Sequence, residues 1–384
     1  MRFLHTGDWH VGRTIRGHSR SDEFEAVLSQ VVEVAADQKV DAVLVAGDIH
    51  DQRAVTPDAD GLIFDTYIRL HEAGIPVVAI PGNHDSAARL AAFAPLLERI
   101  GVTAVAKMRH PKDGGLVEVA SLDGDSSAVI ACIPFVSPRR FSDAAGLFED
   151  LSGGYKNFDE SMGILLQTFE KAFRRDAVNI VLGHMFVSGA QPGGSEREVT
   201  IGADYAVSPA RLPATASYVA LGHIHKPQKV KATAADTRYC GSLLQLDFGE
   251  KGQDKSLVVV DVAPGKPPKT TTIPIEAGRR LLEVNATLDE LPGLAEKVGD
   301  AFVRVNLSVD SPVPGIADRV RDALPNALDV RLILPDTDKA PEAPSLSGLD
   351  PRQQFVSYYE SAHQGDPPDV LLTAFDRVYE EVVA

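Results

Sequence analysis

The sequence predicts an α/β protein with a layered core, and two observations carry this prediction. Short apolar runs rich in Val, Ile and Leu alternate with helical patterns over roughly the first 260 residues. Several of these runs are apolar at every position, which is typical of strands buried on both faces of a sheet. Because strand, helix and strand follow one another in this order, we expect βαβ units that build a layered α/β core.

The same pattern places the individual elements. Helical patterns lie at about 22–38, 57–73 and 86–100. The expected strands are RFLHT (2–6), DAVLVAG (41–47), PVVAIPG (76–82), AVIACIPF (128–135), NIVLGH (179–184), YVALGH (218–223) and SLVVVDV (256–262).

Proline-rich stretches divide the remainder of the chain. The run APGKPPKTTTIP (263–274) predicts a linker, and a small strand-helix-strand-helix-strand unit is expected after it. A second stretch, rich in Pro, Ser and Asp, predicts a flexible linker. The expected parts are a first domain over 1–265, a second over 275–335, the flexible linker over 336–350 and a helical segment over 351–384.

Bulk properties exclude several classes of protein. No apolar run approaches the roughly 18 residues that a membrane span needs, and the N-terminus turns polar after Leu4. We therefore expect a cytoplasmic protein without a membrane segment. Cys132 and Cys240 lie in apolar, strand-like stretches, which predicts buried thiols and no disulfide framework. The formal net charge of −16 argues against a broad basic face for nucleic acid.

Polar side chains follow five of the expected strands at the point where each strand ends. In α/β sheets, ligands bind beyond the carboxyl ends of the strands, and a preceding glycine lets the backbone approach a ligand closely. If the backbone stays extended past Gly222, the next two histidines share one face and point to one spot. The candidates are Asp8 and His10, then Asp48, then Asn83, His84 and Asp85, then His184, and finally His223 and His225.

This set of side chains predicts a metal centre. Carboxylate, amide and imidazole groups without cysteine suit Mn²⁺, Fe²⁺ or Zn²⁺ better than a thiolate-bound structural zinc. The number of candidates is too large for one ion, so we expect two ions that share Asp48 as a bridge. We expect Mn²⁺, with Mg²⁺, Fe²⁺ and Zn²⁺ as alternatives. The expected ligands are Asp8, His10, Asp48, Asn83, His184, His223 and His225.

These motifs resemble those of the calcineurin-like metallophosphoesterase superfamily. The superfamily patterns D-x-H, G-D-x-x-D, G-N-H-[DE], H and G-H-x-H occur here in that order, at Asp8/His10, Asp48/Asp51, Asn83/His84/Asp85, His184 and His223/His225. The resemblance implies a layered β-sandwich flanked by helices, with a small α+β capping domain and a C-terminal helical hairpin.

The resemblance also implies roles for individual residues. One ion would take Asp8, His10, Asp48 and His225, and the other would take Asp48, Asn83, His184 and His223. His84 would stabilise the transition state or protonate the leaving oxygen, and Asp51 would orient it. His50 stands where the family usually has a large apolar or aromatic residue. We expect His50 to serve packing or to lie on the surface.

The flanking segments resemble, more narrowly, the nuclease subunits of bacterial ATP-regulated DNA-processing complexes. This implies a double-strand exonuclease and a hairpin-opening or single-strand endonuclease for DNA repair and recombination, whose ATPase is a separate chain. In agreement, APGKPP (263–268) lacks the features of a P-loop, so no ATP site is expected here. The matching segments are LHTGDWHVGRTIRGHSRSDE, VDAVLVAGDIHD, PGNHDS, SGAQPGGSERE, YVALGHIHKPQ and YCGSLLQLDFGE.

Two other functions fit the same core. One is a phosphodiesterase or phosphatase for a small molecule or a phosphoprotein, and the other is a non-catalytic scaffold. The basic loop after the first motif favours DNA, because it lies beside the expected metal site and can neutralise phosphates. The candidate DNA contacts are Arg13, Arg16 and Arg20, together with Lys226.

Two regions suggest binding to other subunits. Leu371, Phe375, Val378 and Val382 recur at helical spacing, and Phe355, Tyr358 and Tyr359 form a second apolar set. This small hairpin either docks on a partner or packs back on its own domain, and the resemblance implies docking on the coiled-coil base of the ATPase. The resemblance also implies a homodimer through helices 57–73 and 86–100. Their apolar residues, which also suit an ordinary core, include Leu62, Ile63, Phe93, Leu96 and Leu97.

Overall fold

The computed structural model describes residues 1–138, 157–311, 314–334, 349–363 and 365–383. Over these residues the chain forms two six-stranded sheets, a three-stranded sheet, a two-stranded pair and eight α-helices. The linker predicted over 336–350 falls almost entirely outside the described residues.

The first six-stranded sheet carries the N-terminal βαβ units. Its strands are β1 (Arg2–Thr6), β2 (Ala42–Ala46), β3 (Val77–Ile80), β4 (Val102–Ala104), β13 (Ser256–Asp261) and β14 (Lys269–Pro274). Their order in the sheet is β14-β13-β1-β2-β3-β4. Strands β1 to β4 are parallel, as the alternation of strands and helices predicts, whereas β13 and β14 are antiparallel to their neighbours.

The linker predicted over 263–274 is wrong for its second half. Strand β14 pairs with β13 along its whole length, and therefore belongs to the first sheet. The pairing begins with Lys269 opposite Asp261 and ends with Pro274 opposite Ser256. The cause is the run of β-branched threonines, which favours a strand. An edge strand tolerates the exposed lysine and proline that made the segment resemble a linker.

The second six-stranded sheet supplies the other half of the sandwich. Its strands are β5 (Leu116–Ala120), β6 (Ser127–Ile133), β7 (Val178–His184), β10 (Tyr218–Gly222), β11 (Gln228–Lys229) and β12 (Thr237–Tyr239). Their order is β11-β12-β10-β7-β6-β5, with antiparallel pairing only at the two edges. The two-stranded pair consists of β8 (Phe186–Val187) and β9 (Ala206–Val207).

The two sheets pack face to face between layers of helices. Residues such as Leu44 and Ile80 from the first sheet form one buried cluster with Ile180 and Leu182 from the second. Burial of each such side chain contributes about 1.5–3 kcal/mol to stability. Helices on the outer faces are α1 (Ser21–Asp37), α2 (Pro57–Glu72) and α3 (Ala87–Leu97) on the first sheet and α4 (Phe158–Glu170) on the second.

A small domain follows the sandwich and has the expected order of elements. These are β15 (Leu281–Ala286), α5 (Ala295–Val298), β16 (Phe302–Ser308), α6 (Ile316–Ala323) and β17 (Ala327–Ile333), with three parallel strands in the order β15-β16-β17. This domain contacts the sandwich through a buried cluster of Ile15, Phe248, Leu281 and Phe302. The guanidinium of Arg304 lies 4.4 Å from the ring centre of Phe248.

Two helices end the chain, α7 (Pro351–His363) and α8 (Asp369–Val383). They contact each other through the stacked rings of Phe355 and Phe375, whose centres are 4.4 Å apart. An ion pair between Arg352 and Asp376 adds to this contact. No helix in the described part of the chain is long and apolar enough to cross a membrane.

The apolar residues on α2 and α3 divide into two sets. Ile63 and Leu97 are buried in the core beneath the first sheet, and Leu62 and Phe93 pack against that core. Leu96 is 62% exposed. Most of the predicted dimer residues therefore serve the core of their own chain, and Leu96 is the one that faces outward.

Candidate metal centre

The seven predicted ligands meet where the strands of both sheets end. Four of them adopt a left-handed backbone conformation, with φ of 48° at Asp8, 49° at His10, 49° at Asp48 and 103° at His223. This region is unfavourable for residues other than glycine, and such strain clusters at functional sites. The condition of an extended backbone past Gly222 is not met, because β10 ends at Gly222 and His223 has a φ of 103°.

A glycine is required where the end of β10 contacts the end of β2 in the other sheet. A Cβ atom at Gly222 would lie against the carbonyl oxygen of Ala46, and 3.1 Å from Oδ1 of Asp8. Only a residue without a side chain allows this contact. The close approach predicted for the strand-end glycines is therefore found at the centre of the site.

The first group of ligands contains Asp8, His10, Asp48 and His225, all buried. One ligand atom from each lies within 4.8 Å of the others. The Nε2 atoms of His10 and His225 are 3.1 Å apart. Two imidazole nitrogens at this distance need a proton or a cation between them, so this group fits a divalent ion.

The second group is formed by Asn83, His184 and His223. Oδ1 of Asn83 lies 3.1 Å from Nε2 of His184 and 2.9 Å from Nδ1 of His223. Asp48 lies between the two groups, since its Oδ2 is 3.6 Å from Nε2 of His10 and 3.4 Å from Nε2 of His184. The donor atoms therefore fit a binuclear centre in which Asp48 is the shared residue.

Each of the four histidines has an acceptor outside the ligand groups beside its other ring nitrogen, although Nδ1 of His10 meets its acceptor without hydrogen-bond geometry. A metal-binding histidine usually donates its second N–H in this way, which fixes the tautomer and the ring plane. Two acceptors are main-chain carbonyls and two are carboxylates. The pairs are His184 Nδ1 with Ala46 O (2.7 Å), His223 Nε2 with Thr200 O (3.0 Å), His10 Nδ1 with Asp51 Oδ1 (3.3 Å) and His225 Nδ1 with Glu250 Oε1 (3.1 Å).

Burial and neighbouring charges set the protonation of the site. Burial lowers the pKa of His10 to about 4 and that of His223 to about 3, so both are neutral at pH 7 and offer a lone pair to a metal. Burial raises the pKa of Asp8 to about 6. Burial also acts to raise the pKa of Asp48, but the imidazoles of His184, His84 and His10 together outweigh it and hold this pKa well below its usual value.

His84 is positioned by two main-chain interactions. Its Nδ1–H donates to the carbonyl oxygen of Asp51 at 2.6 Å, and its backbone N–H donates to Oδ1 of Asp48 at 2.8 Å. The carboxylate of Asp51 contacts His10 and Arg13 instead, each at 3.3 Å. Asp51 therefore contacts His84 through its carbonyl group, while its side chain contacts a predicted metal ligand.

Arg20 does not face the site. Its side chain is buried, with 2% of its surface exposed. The guanidinium donates to the carbonyl oxygen of Gln245 at 2.5 Å and forms an ion pair with Glu23 at 2.7 Å. A guanidinium that is enclosed in this way cannot reach a phosphate, so Arg20 serves the packing of the basic loop.

The other predicted DNA contacts lie nearer the surface. Arg13 is partly exposed and pairs with Asp51 beside the ligands. Arg16 reaches the small domain, where it forms an ion pair with Asp329 at 3.1 Å. Nζ of Lys226 donates to the side chain of Gln191 at 3.0 Å. Arg13 and Lys226 therefore lie next to the ligands in sequence and remain accessible.

His50 is packed between two carboxylates. Its Nδ1 lies 3.2 Å from Asp85 and its Nε2 lies 3.2 Å from Asp60. The carboxylate of Asp85 also accepts the backbone N–H groups of Ile49 and Gly82, so it ties the loop after β2 to the loop after β3. His50 and Asp85 hold the two loops that carry Asp48 and Asn83.

Sequence reasoning missed the residues that surround His225. Glu250 is fully buried, and Glu196 accepts the backbone N–H of His225 at 2.8 Å. A signal for both was present, since they lie in the segments SGAQPGGSERE and YCGSLLQLDFGE that carry the narrower resemblance. Glu196 and Glu250 therefore lie beside a predicted metal ligand.

Known proteins share these features. A family model described as calcineurin-like phosphoesterase matches residues 1–227. The SbcD component of the SbcCD nuclease from Bacillus subtilis (strain 168) is 31% identical over 376 residues, which cover 96% of this chain and 95% of the relative. The SbcD proteins of Rhodobacter capsulatus and Escherichia coli (strain K12) are 30% and 28% identical, over 94% and 87% of this chain and 94% and 84% of the relatives.

These matches confirm the predicted resemblance, the α/β fold and the class of reaction, a metal-dependent hydrolysis of phosphodiester bonds. The chain belongs to the calcineurin-like phosphoesterase family and, within it, to the SbcD nucleases.

Proposed function

We propose that this chain cleaves DNA with two divalent ions at the strand-end site, as the nuclease subunit of a complex with an SbcC ATPase. The activities would be those of a double-strand exonuclease and of a hairpin-opening or single-strand endonuclease. The observation that carries the proposal is the convergence of buried oxygen and imidazole ligands on both sides of Asp48. The relatives from Bacillus subtilis and Rhodobacter capsulatus are subunits of an SbcCD nuclease, which supports the relationship to SbcC.

The ligands divide between two ions. One ion would be held by Asp8, His10, Asp48 and His225, and the other by Asp48, Asn83, His184 and His223. When bound, two divalent ions supply positive charge for the phosphate oxygens and lower the pKa of a nearby water. Imidazole and carboxylate ligands favour Mn²⁺ as the resident metal, with Fe²⁺, Zn²⁺ and Mg²⁺ as alternatives.

His84 is the proposed catalytic side chain. Because the carbonyl group of Asp51 can only accept, the proton on Nδ1 is fixed and Nε2 is the atom available to a substrate. A protonated His84 would donate from Nδ1 to Asp51 and from Nε2 to the leaving oxygen or to a charged phosphate oxygen. Arg13 and Lys226 would contact the flanking phosphates.

The C-terminal helices are the proposed contact with SbcC. Along α8, Leu371 is 37% exposed, Val378 is 53% exposed and Val382 is 62% exposed, so this apolar stripe lacks cover within the described chain. Phe355 and Phe375 stack on each other and hold α7 against α8. Tyr359 lies beside Phe355 and extends the same contact. We propose that the stripe docks on the coiled-coil base of SbcC.

A homodimer through α2 and α3 remains part of the proposal. Leu96 is the exposed apolar residue on α3, and it lies one turn from Phe93, which packs against the core. Leu96→Glu would place a charge in such an interface without changing the core. Sedimentation of wild type and variant over a range of concentrations tests this, and a wild-type monomer at all concentrations would contradict the dimer.

The function is tested with a labelled DNA hairpin and Mn²⁺, with and without the SbcC partner. We expect hairpin opening and end trimming that depend on Mn²⁺ and are regulated by ATP only when the partner is present. Glu25→Gln, at an exposed position on α1 away from all seven ligands, serves as the control. Hydrolysis of a small phosphodiester without DNA cleavage under either condition would favour the small-molecule or phosphoprotein alternative and overturn the proposal.

A further inference from the structure

His225 is held at every polar atom except Nε2. Its backbone N–H donates to Glu196 at 2.8 Å. Its carbonyl oxygen accepts from Nζ of Lys255 at 2.8 Å and from the backbone N–H of Ser242 at 3.1 Å. Its Nδ1 lies 3.1 Å from Oε1 of Glu250 and 2.6 Å from the hydroxyl oxygen of Ser195. The remaining atom, Nε2, is the one that lies 3.1 Å from Nε2 of the other histidine in its ligand group.

Glu250 is a fully buried carboxylate whose two oxygens have different partners. Oε2 forms an ion pair with Lys255 at 2.7 Å and accepts the backbone N–H of Leu246 at 3.1 Å. Oε1 contacts Nδ1 of His225 and accepts from the hydroxyl of Ser195. Burying a carboxylate is costly unless it is paired and hydrogen-bonded, and here Lys255 provides the pairing.

The contact with Glu250 determines which nitrogen of His225 carries the proton. The hydroxyl of Ser195 donates to the same carboxylate, so its oxygen also faces Nδ1 as an acceptor. An ionised carboxylate can only accept, so Nδ1 is the protonated nitrogen and Nε2 keeps its lone pair. The ring plane is fixed at the same time, because the main chain of His225 is held on both sides. The imidazole therefore presents an unprotonated Nε2 toward Asp8, His10 and Asp48.

The two ligand groups differ in what holds their histidines. His184 and His223 donate to main-chain carbonyls, which no substitution removes. His10 and His225 contact the side chains of Asp51 and Glu250. The group that contains Asp8 is therefore the one whose ligand geometry depends on outer side chains.

We propose that Glu250 is a positioning residue for the ion held through His225, and that it acts on this ion alone. The inference rests on the two-metal site proposed above. It assigns a role to the acidic end of the segment YCGSLLQLDFGE, which supplies no ligand itself.

The test is Glu250→Gln in the full chain, titrated with Mn²⁺ by calorimetry. The amide keeps the size of the side chain, but its NH₂ group can donate to Nδ1 and favour the tautomer with the proton on Nε2. We expect one equivalent of Mn²⁺ to bind as in wild type and the other to bind about 10–100-fold more weakly, the usual effect of losing such a partner. Nitrogen-15 NMR of the histidine side chains, recorded without metal, should show the proton of His225 moving from Nδ1 toward Nε2.

Two further variants separate positioning from folding. Glu25→Gln makes the same change of side chain at an exposed position on α1, so both ions should bind as in wild type. Glu250→Asp keeps the charge that pairs with Lys255 but shortens the reach to His225. Glu250→Asp should give a smaller loss of Mn²⁺ affinity at the same ion. If Glu250→Gln does not fold, Glu250→Asp becomes the variant that tests the inference.

Two results would overturn the inference. One is unchanged affinity for both ions in Glu250→Gln, or in Glu250→Asp where the first variant does not fold. The other is equal weakening of both ions together with a lower melting temperature, which is the result of a merely structural role. A wild-type chain that binds fewer than two Mn²⁺ would instead overturn the two-metal site itself, and the inference with it.

Discussion

The strand-end site and the C-terminal helices differ in how far their own chain completes them. At the site, each predicted ligand is buried and contacts other parts of the sandwich. On α8, the predicted stripe of Leu371, Val378 and Val382 is exposed. Both regions were predicted from residue spacing. The side chains of the strand-end site are covered by their own chain, whereas most of the stripe on α8 is not.

The difference shows what each kind of pattern determines. A residue that directly follows a buried strand is positioned by the hydrogen-bonded backbone of the sheet, so Asp48 and His184 could be placed together in advance. A helical stripe determines only which side chains share a face. What covers that face depends on surfaces elsewhere, and in α8 the described chain supplies a cover for Phe375 alone among the four stripe residues.

The largest effect is expected for Asp48→Ala, which tests whether the site is one unit. Asp48 lies between both ligand groups, and its Oδ1 also accepts the backbone N–H of His84. We expect loss of DNA cleavage to below detection and loss of Mn²⁺-dependent thermal stabilisation. Cleavage assays and thermal unfolding with and without Mn²⁺ check this, and near-full activity would contradict a shared ligand.

A smaller loss is expected for His84→Gln, which separates chemistry from metal binding. His84 is fixed by Asp51 and is not needed to complete either ligand group. Removal of a group that transfers a proton or stabilises charge should slow cleavage by ~10²–10⁴-fold while two Mn²⁺ still bind. Single-turnover cleavage beside calorimetry measures both quantities. Lost metal binding would make His84 a ligand, and unimpaired cleavage would leave it without a role.

Asp51→Asn should cause a milder loss and should act through His10. Its carboxylate contacts His10 and Arg13, while its carbonyl group, which the substitution keeps, holds His84. We expect about 10-fold weaker binding of one Mn²⁺ ion, the lower end of such effects, with binding of the other unchanged. A variant with normal metal affinity but slow cleavage would show that the side chain serves His84 after all.

The smallest effect on cleavage is expected for removal of residues 349–384. This truncation tests directly whether the metal site is independent of the C-terminal helices. The described contacts of α7 and α8 join the two helices to each other, so the metal site should be unaffected. Basal Mn²⁺-dependent cleavage should stay within about twofold, whereas binding to SbcC should be lost. Val378→Asp in the full chain is the matched point variant. Unchanged partner affinity in both proteins would rule out docking through α8.

Much of the fold could be predicted from the sequence because most of its strands are buried and therefore appear as apolar runs. The expected strands and helices agree with the structure to within a few residues at their ends. Strand β14 was not predicted because an exposed edge strand has no apolar pattern. The conformation of His223, with φ of 103°, was not predicted either, because its backbone N–H donates to Asp8, a residue 215 positions away along the chain.

Contacts between distant segments account for the other differences. Arg20 was expected beside DNA, but its guanidinium is enclosed by a carbonyl group 225 positions away along the chain. The contact of Glu250 with His225 also joins two separate segments, and the periodicity of apolar residues does not indicate such a contact. Spacing therefore predicted which residues come together at the site more reliably than charge predicted which ones face solvent.

The placement of the ligands has a consequence for the mechanical integrity of the protein. Asp8, Asp48 and Asn83 follow strands of the first sheet, whereas His184 and His223 belong to the second. Each proposed ion takes ligands from both sheets and thus acts as a reversible cross-link between the halves of the sandwich. At a free metal concentration 100 times the dissociation constant, one such cross-link adds about 2.7 kcal/mol to the free energy of unfolding. Without metal, the chain would therefore lose this cross-link between the sheets as well as its catalytic activity. The two sheets would then separate more easily, even while their strands stay folded.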